Sequence, residues 1–390
     1  MSKYDYDLPF VEEDDDIIIL KHLTKHFPIK TNLFGKVLVS VKAVNDVSIR
    51  VKKGTTLGVV GESGCGKTTM GRTMLRLYDI TSGEIIYKGL NLDRLSTSEL
   101  RRLLPRENEE YAELHSKGDR QELLDVLNKI GININQVPRS IMRKLRPDLQ
   151  IIFQDPYSSL SPRMTIGAII SEAVEEHKIV PKSQQREYVL KIMEECGLQP
   201  YYYDRYPHEF SGGQRQRICI ARALALNPKV VICDEPVSAL DVSIQAQIIN
   251  LLKDLQEEHG ITYVFISHDL SVVKHISSEV AVMYLGSLME KAPTGAIFDN
   301  PLHPYTKALL SAVPVPDPNV KMNRIILEGD IPSPANPPSG CKFHTRCREC
   351  MEICCQKEPD LIEYEPEHFI ACHLYQKKDA EHEAKEQTKG

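Results

Sequence analysis

Residues 61 to 69, GESGCGKTT, combine three glycines, a lysine and two threonines in a spacing suited to phosphate chemistry. They match the pattern G-x-x-x-x-G-K-[ST], in which glycines let backbone N–H groups turn toward phosphate oxygens. Lys67 would lie against the β- and γ-phosphates of ATP, and the Thr68 hydroxyl would hold Mg²⁺. We read Cys65 as a small filler. The predicted ATP-binding loop consists of Gly61, Glu62, Ser63, Gly64, Cys65, Gly66, Lys67, Thr68 and Thr69.

A second chemical pair, Asp234 and Glu235, follows four apolar residues in the segment VVICDE. A buried strand that ends in this way reaches the ligand edge of a sheet. Asp234 is then placed to hold Mg²⁺, and Glu235 to polarise the attacking water. Positioned general bases typically contribute about 10²–10⁴-fold in rate, so Glu235 is the predicted catalytic residue.

The elements that must position these groups alternate between strand and helix. The apolar run TLGVV precedes the glycine-rich loop, and the helical segment MGRTMLRLY follows it. The segments KVVICDEP and ITYVFISHD read as further strands, with a helix from about 243 to 259 between them. This alternation predicts an α/β fold with a mainly parallel core sheet.

Residues 93 to 147 read as a helical insert. Ser96 with Glu99 and Asp119 with Glu122 have the spacing of capping boxes, which mark helix starts. The many charges of the segment favour a surface helical hairpin.

The segment FSGGQRQR, Phe210 to Arg217, resembles the signature motif of ABC transporter ATPase domains. IIFQDP, with Gln154, resembles the Q-loop of that family, SALD its D-loop, and FISHD its switch histidine segment. The resemblance implies an ABC-type P-loop ATPase with a mainly parallel core sheet, an antiparallel β subdomain and a helical signature subdomain.

The resemblance also implies roles for individual residues. Two such domains pair head to tail in the family, so the signature of one closes over the ATP held by the other. Gln154 would contact Mg²⁺ and the surface facing the membrane subunits, His268 would contact the γ-phosphate as a second catalytic residue, and Asp241 would act across the dimer interface. Phe27 aligns with the aromatic residue that stacks on adenine, with His26 as an alternative. The implied signature contacts are Ser211, Gly212, Gly213 and Gln214.

The stretch NPLHPYTKALLSAVP, residues 300 to 314, resembles the segment after the ATPase domain in dipeptide and oligopeptide permeases. DEPVSALDVSIQAQIINLL is most similar to the F-type ATPase subunit of those permeases. The resemblance implies ATP-driven uptake of di- and oligopeptides, with a D-type ATPase subunit, two membrane permease subunits and an external substrate-binding protein as partners. Nickel and some sugar importers share this extended domain, and a soluble non-transport ABC protein is a further alternative.

Composition sets limits on these readings. The net charge of −6 gives no case for a nucleic-acid partner. The acidic N-terminus lacks the features of a signal peptide, and no apolar run approaches the length that spans a bilayer. We therefore expect a soluble chain at the cytoplasmic face of the membrane, bound there through its permease subunits.

Six of the ten cysteines lie between Cys341 and Cys372. The cytosol keeps thiols reduced, which argues against structural disulfides. Four thiolates suffice for a zinc ion or a [4Fe–4S] cluster, and unmetallated packing is a third reading. Resemblance to cluster-bearing family members favours the cluster, with Cys350 and Cys355 as spare residues. The implied ligands, spaced C-x₅-C-x₆-C-x₁₇-C, are Cys341, Cys347, Cys354 and Cys372.

The sequence therefore predicts five consecutive parts. They are an acidic tail (1–15), an ABC ATPase domain (16–298), a Pro-rich permease extension (299–340), a Cys-rich metal-cluster segment (341–376) and a charged tail (377–390).

Overall fold

The protein was analysed as a computed structural model that describes residues 8–31, 37–105, 111–313 and 324–376. The predicted charged tail (377–390) lies outside these ranges. So do the first seven residues of the acidic tail and part of the Pro-rich extension.

Twelve strands occur in the described chain. They are β1 (Asp16–Thr31), β2 (Val37–Lys52), β3 (Thr56–Val60), β4 (Ser82–Tyr87), β5 (Ile132–Asn133), β6 (Leu149–Ile152), β7 (Val230–Asp234), β8 (Thr262–Ile266), β9 (Glu279–Tyr284), β10 (Ser287–Pro293), β11 (Ile362–Glu365) and β12 (His368–Ile370).

Fourteen α-helices occur in the same described ranges. They are α1 (Lys67–Met74), α2 (Thr97–Arg101), α3 (Ala112–Lys117), α4 (Arg120–Ile130), α5 (Arg139–Leu145), α6 (Pro156–Ser159), α7 (Ile166–Glu176), α8 (Gln185–Glu195), α9 (Gly212–Leu224), α10 (Val242–His259), α11 (Leu270–Ile276), α12 (Thr294–Asp299), α13 (Pro304–Ser311) and α14 (Glu352–Gln356).

An eight-stranded sheet forms the centre of the fold, in the order β11-β12-β10-β9-β3-β8-β7-β6. The five strands from β9 to β6 are parallel to one another, and β10, β12 and β11 continue the sheet in antiparallel fashion. The predicted parallel core is confirmed. Because the ends of β3, β7 and β8 meet at one edge, the residues that follow these strands come together there.

A second, antiparallel sheet has the order β2-β1-β4-β5. It lies over one face of the central sheet, as the shared hydrophobic cores show. Along β8, Val264 and Ile266 belong to the core under the antiparallel sheet, whereas Tyr263 and Phe265 belong to the core formed with the helices of the other face. The central strands are therefore buried on both faces, which explains why their sequences are continuous apolar runs.

The insert is mainly helical in its described residues, 93–105 and 111–147, and both predicted capping boxes are present. One side of the insert is buried, as is usual for an amphipathic helix at the surface. Leu123 and Leu127 of α4 are buried, and they pack into the core beneath the antiparallel sheet. The insert also adds β5 to that sheet, so it is part of the β subdomain.

The cysteine-rich segment contributes β11 and β12 to the central sheet, where β12 pairs with β10. Phe369 of β12 packs edge-on against Phe10, with ring centroids 6.4 Å apart. The segment is thus attached to the ATPase fold through backbone hydrogen bonds and through a small apolar cluster with the N-terminal residues.

Candidate functional site

The glycine-rich loop connects the end of β3 to the start of α1, as the sequence predicts. Gly61 has φ of 146°, and a Cβ atom added there would lie 2.2 Å from the carbonyl oxygen of Met283 in β9. Gly64 has φ of 78° with open space around it. The loop can therefore pass close to β9 and expose its backbone at the edge of the sheet.

Lys67 points into this loop and is 5% exposed. Its Nζ donates hydrogen bonds to the carbonyl oxygens of Gly61 (2.7 Å) and Glu62 (3.1 Å). The ammonium group is thereby fixed at the centre of the loop, where phosphate oxygens would approach. Cys65 is 3% exposed, and burial raises the pKa of its thiol, which agrees with its reading as a filler.

Two of the three residues predicted to contact Mg²⁺, Thr68 and Asp234, are in direct contact with each other. The Thr68 hydroxyl donates to Oδ1 of Asp234 at 2.6 Å. Asp234 is 1% exposed, and its second oxygen lies 3.3 Å from Nη2 of Arg72, one turn after Thr68 on α1. A hydroxyl and a carboxylate are oxygen ligands of the kind that Mg²⁺ prefers, so the donor set fits the ion.

Glu235 lies just beyond β7 and collects two other predicted residues around its carboxylate. Gln154 Nε2 donates to Oε2 of Glu235 at 3.0 Å, and Nδ1 of His268 lies 3.2 Å from the same oxygen. The backbone of Glu235 has φ of 48°, and its N–H donates to the carbonyl oxygen of Ile266 at the end of β8. Gln154 and His268, from two separate loops, thus converge on the carboxylate of Glu235.

The signature segment begins α9 with a capping box. The N–H of Gln214 donates to Oγ of Ser211 at 3.4 Å, and the N–H of Ser211 donates to Oε1 of Gln214 at 3.1 Å. Gly213 lies so close to α10 that an added Cβ would be 2.5 Å from Cγ2 of Ile244. Ser211 and Gly212 are exposed.

Asp241 begins α10 as its N-cap, and its Oδ1 accepts hydrogen bonds from Ser243 Oγ (2.7 Å) and the N–H of Ile244 (3.0 Å). These bonds lower the pKa of the exposed Asp241 carboxyl. Because Ile244 contacts Gly213, the signature and the D-loop residues form one exposed surface.

The candidate adenine-stacking residues point to different neighbours. The Phe27 ring packs edge-on against Tyr78 with centroids 5.3 Å apart, and the Lys25 ammonium lies 4.7 Å from the Phe27 centroid. His26 Nε2 lies 3.3 Å from Oδ1 of Asn45. Both rings lie on β1, and stacking of one of them on adenine stays a prediction.

The four cysteines that were singled out as ligands lie near one another. Cys341, Cys354 and Cys372 are each 7% exposed, and the N–H of Cys341 donates to the carbonyl oxygen of Cys354 at 2.8 Å. Burial raises the pKa of Cys341 to about 11 and that of Cys372 to about 12, and the thiols of Cys341, Cys347 and Cys354 contribute to the latter rise. Thiolates this close to one another need a cation to be ionised together, so the chemistry of this donor set fits a metal group.

No three of the four predicted ligand sulfurs lie within 4.8 Å of one another. Within the described ranges, the one group of three ligand atoms within 4.8 Å of one another is Glu195, Glu258 and His259. Cys350 and Cys355, the predicted spare residues, are exposed.

Sequence reasoning missed three residues of the site. Arg72, which contacts Asp234, could have been found, because its position four residues after Thr68 places it on the same face of α1. Tyr305 and Arg346 had no local signal, since each reaches the loop from the C-terminal extension: the Tyr305 hydroxyl accepts from the N–H of Glu62, and Arg346 pairs with its carboxylate.

The chain is similar in sequence to transport proteins over most of its length. Residues 44–117 and 123–238 match the family described as ABC transporter, and residues 289–354 match the family described as oligopeptide/dipeptide transporter, C-terminal region. The fold, the phosphate loop and the first of these matches define the chain as an ABC-type ATPase.

Curated relatives narrow this class. The oligopeptide transport ATP-binding protein AppF of Bacillus subtilis is 49% identical over 363 residues, which cover 93% of this chain and 98% of the relative. The dipeptide transport ATP-binding protein DppF of Haemophilus influenzae is 46% identical over 362 residues, with coverage of 93% and 98%. The chain belongs to this family of oligopeptide and dipeptide transport ATP-binding proteins.

Solved structures agree on the fold. CbiO1 of Clostridium perfringens, part of the ABC transporter complex cbiONQ, matches with a TM-score of 0.54 at 24% identity, over 73% of this chain and 92% of that one. The bacterial ABC transporter cassette MJ0796, solved as a dimer, also gives 0.54 at 24% identity, over 71% and 99%. In the described part of the chain, no helix is both long and apolar enough to cross a membrane.

Proposed function

We propose that this chain hydrolyses ATP to drive the import of di- and oligopeptides through a membrane permease. The convergence of Gln154 and His268 on the Glu235 carboxylate, beside the phosphate loop, carries the proposal. The family relationship supports peptides over nickel or sugars as the cargo.

The site residues divide the chemistry between them. Lys67 and the loop N–H groups bind the phosphates, and Glu235 orients the attacking water and accepts its proton. His268 and Gln154 hold the Glu235 carboxylate toward that water. Thr68 and Asp234 would hold Mg²⁺, which offsets charge on the transferred phosphoryl group.

The signature supports pairing with a second ATPase subunit. Ser211 and Gly212 expose the N-terminus of α9, whose free N–H groups suit an anion, and Asp241 lies on the same surface. In the paired state this surface covers the ATP of the partner. We propose a D-type subunit as that partner, together with two permease subunits and an external binding protein that delivers the peptide. The chain then works at the cytoplasmic face of the membrane.

Uptake of a labelled tripeptide tests the transport role. In cells that depend on this chain for uptake, Glu235→Gln is expected to reduce the rate by about 10²-fold or more, because the amide cannot accept the proton. Glu257→Gln, which changes an exposed carboxylate on α10, is the matched control and should leave uptake unchanged. Normal peptide uptake in the Glu235→Gln cells would refute the proposal, and loss of nickel or sugar uptake in its place would favour the alternatives.

We also propose that Cys341, Cys347, Cys354 and Cys372 hold a [4Fe–4S] cluster. The C-x₅-C-x₆-C-x₁₇-C spacing resembles that of cluster-bearing family members and differs from the short C-x₂-C pairs that are typical of zinc fingers. When bound, it would supply a cross-link, a redox centre, or both.

Metal analysis of the full-length protein, purified without oxygen, tests this assignment. Cys372→Ser is expected to remove most of the bound iron and sulfide. Cys350→Ser, which changes an exposed neighbouring thiol, should leave them in place. Stoichiometric zinc without sulfide in the unmodified protein would overturn the assignment.

A further inference from the structure

Glu62, the second residue of the phosphate loop, is paired with an arginine from the distant cysteine-rich segment. Nη1 and Nη2 of Arg346 lie 2.7 and 3.2 Å from the two carboxylate oxygens of Glu62. The Arg346 side chain is 8% exposed and that of Glu62 is 22% exposed. A bidentate, largely buried pair of this kind fixes both orientation and charge.

The backbone of Glu62 is also held from the extension. Its N–H donates to the Tyr305 hydroxyl at 2.9 Å, and Tyr305 lies on α13. Arg346 makes a further contact, since its Nη1 lies 3.4 Å from the Tyr284 hydroxyl at the end of β9. The side chain and the N–H of one loop residue are thus both bound by residues that follow the predicted ATPase domain.

Three aromatic rings fix the position of Arg346 relative to the loop. The centroids of Tyr284 and Tyr305 are 4.8 Å apart, and Phe343 lies 5.4 Å from the first and 5.2 Å from the second. Phe343 is 1% exposed and directly precedes the 3₁₀ turn His344–Arg346. The turn is therefore anchored on a rigid, dry base, and Arg346 has little freedom to leave Glu62.

The charges explain why such a pair is needed. The loop faces the ATP phosphates, so a carboxylate within it would repel them. The repulsion is stronger where solvent is partly excluded. We propose that Arg346 is a positioning residue for ATP, which acts by neutralising and holding Glu62. The proposal rests on the ATP-binding role of the loop and not on the identity of the cargo.

ATP affinity of the full-length protein, measured by titration with a fluorescent ATP analogue, tests this role. Arg346→Met is expected to weaken binding about tenfold, because it leaves the Glu62 charge unpaired beside the phosphates. Arg348→Met is the matched control. Arg348 lies two residues further along, is 60% exposed, and is 4.0 Å from Glu328. Its loss should change affinity by less than about twofold, as for other exposed pairs.

A second substitution separates charge from general damage. Glu62→Gln in the Arg346→Met background is expected to restore affinity to within about threefold of the unmodified protein, because the unpaired charge is removed. Glu62→Gln alone is expected to bind ATP about threefold more tightly than the unmodified protein, because Arg346 keeps its positive charge while the loop carboxylate is lost. This measurement tests the proposal even if Arg346→Met does not fold.

Three results would overturn the proposal. One is unchanged ATP affinity in a folded Arg346→Met protein, and another is a loss that Glu62→Gln does not relieve. The third is unchanged or weaker ATP binding by Glu62→Gln alone. ATP affinity is measured without permease or peptide. The affinity results can therefore be interpreted even if the transport assay contradicts the proposed peptide import.

Discussion

Replacing Gly61 by alanine is expected to damage the protein more than the same change at Gly64, although both residues have positive φ. At Gly61, with φ of 146°, the new Cβ would lie 2.2 Å from the carbonyl oxygen of Met283 and 2.8 Å from Sγ of Cys65. At Gly64, with φ of 78°, no atom lies within 4 Å of the new Cβ. Both variants strain the backbone, but Gly61→Ala must also displace β9.

The difference between the two variants can be given a magnitude. Forcing a residue with a side chain into the left-handed region costs about 1–2 kcal/mol. Moving packed backbone to admit a methyl group adds about 1–3 kcal/mol. Gly61→Ala should therefore lower the free energy of unfolding by about 2–5 kcal/mol, and Gly64→Ala by about 1–2 kcal/mol.

Urea unfolding of the nucleotide-free proteins, followed by circular dichroism, measures both values under the same conditions. ATP titrations on the same samples should show a larger loss of affinity for Gly61→Ala, because displacement of β9 changes the course of the loop. Equal unfolding free energies for Gly61→Ala and Gly64→Ala would refute the steric argument at Met283.

Two other predictions concern the metal-binding pair and a buried histidine. Asp234→Asn is expected to raise the Mg²⁺ concentration for half-maximal ATP hydrolysis about tenfold or more, since a ligand charge beside Thr68 is lost, and an unchanged Mg²⁺ titration would contradict this. Burial lowers the pKa of His303 to about 4, from a value near 6.5 in the unfolded chain. Between these two values the unfolded chain binds more protons than the folded one, so the free energy of unfolding falls as the pH drops from about 6.5 to 4. His303→Asn, which can still accept the N–H of Tyr305 and cap α13, should reduce this loss, whereas parallel stability–pH curves would show that His303 does not contribute.

The sequence was most informative where local chemistry and element boundaries coincide. Ser96 and Glu99 predict a helix start because their side chains can cap it, and α2 begins at Thr97 with both capping bonds formed. Asp234 could be placed at the ligand edge because a short apolar run ending in an acid fits a buried parallel strand, and it ends β7. These inferences need no knowledge of distant parts of the chain.

Contacts between distant segments could not be predicted in this way. The spacing of Leu123 and Leu127 shows that α4 has an apolar face, but not that this face packs beneath the antiparallel sheet. Arg346 and Glu62 are 284 positions apart, and neither has a local pattern that points to the other. Their pairing depends on how β9, α13 and the cysteine-rich segment are arranged around the loop.

The buried carboxylate of Glu290 shows why the extension and the ATPase fold must be treated as one folding unit. Glu290 lies on β10 and is 0% exposed, and its oxygens accept hydrogen bonds from the N–H groups of Leu302 and His303 and lie 2.7 Å from Nε2 of His368. Burial opposes ionisation, but these bonds outweigh it and lower the pKa of the carboxyl.

All three of those partners follow residue 298, where the sequence alone suggests that the ATPase domain ends. Without them an ionised carboxylate would stay inside the central sheet with its desolvation uncompensated, and β10 would become an open edge. The part of the chain after residue 298 also supplies Tyr305 and Arg346 to the phosphate loop. Since the groups that stabilise the central sheet and those that hold the ATP-binding loop both lie in this part, loss of its packing would affect stability and ATP binding together.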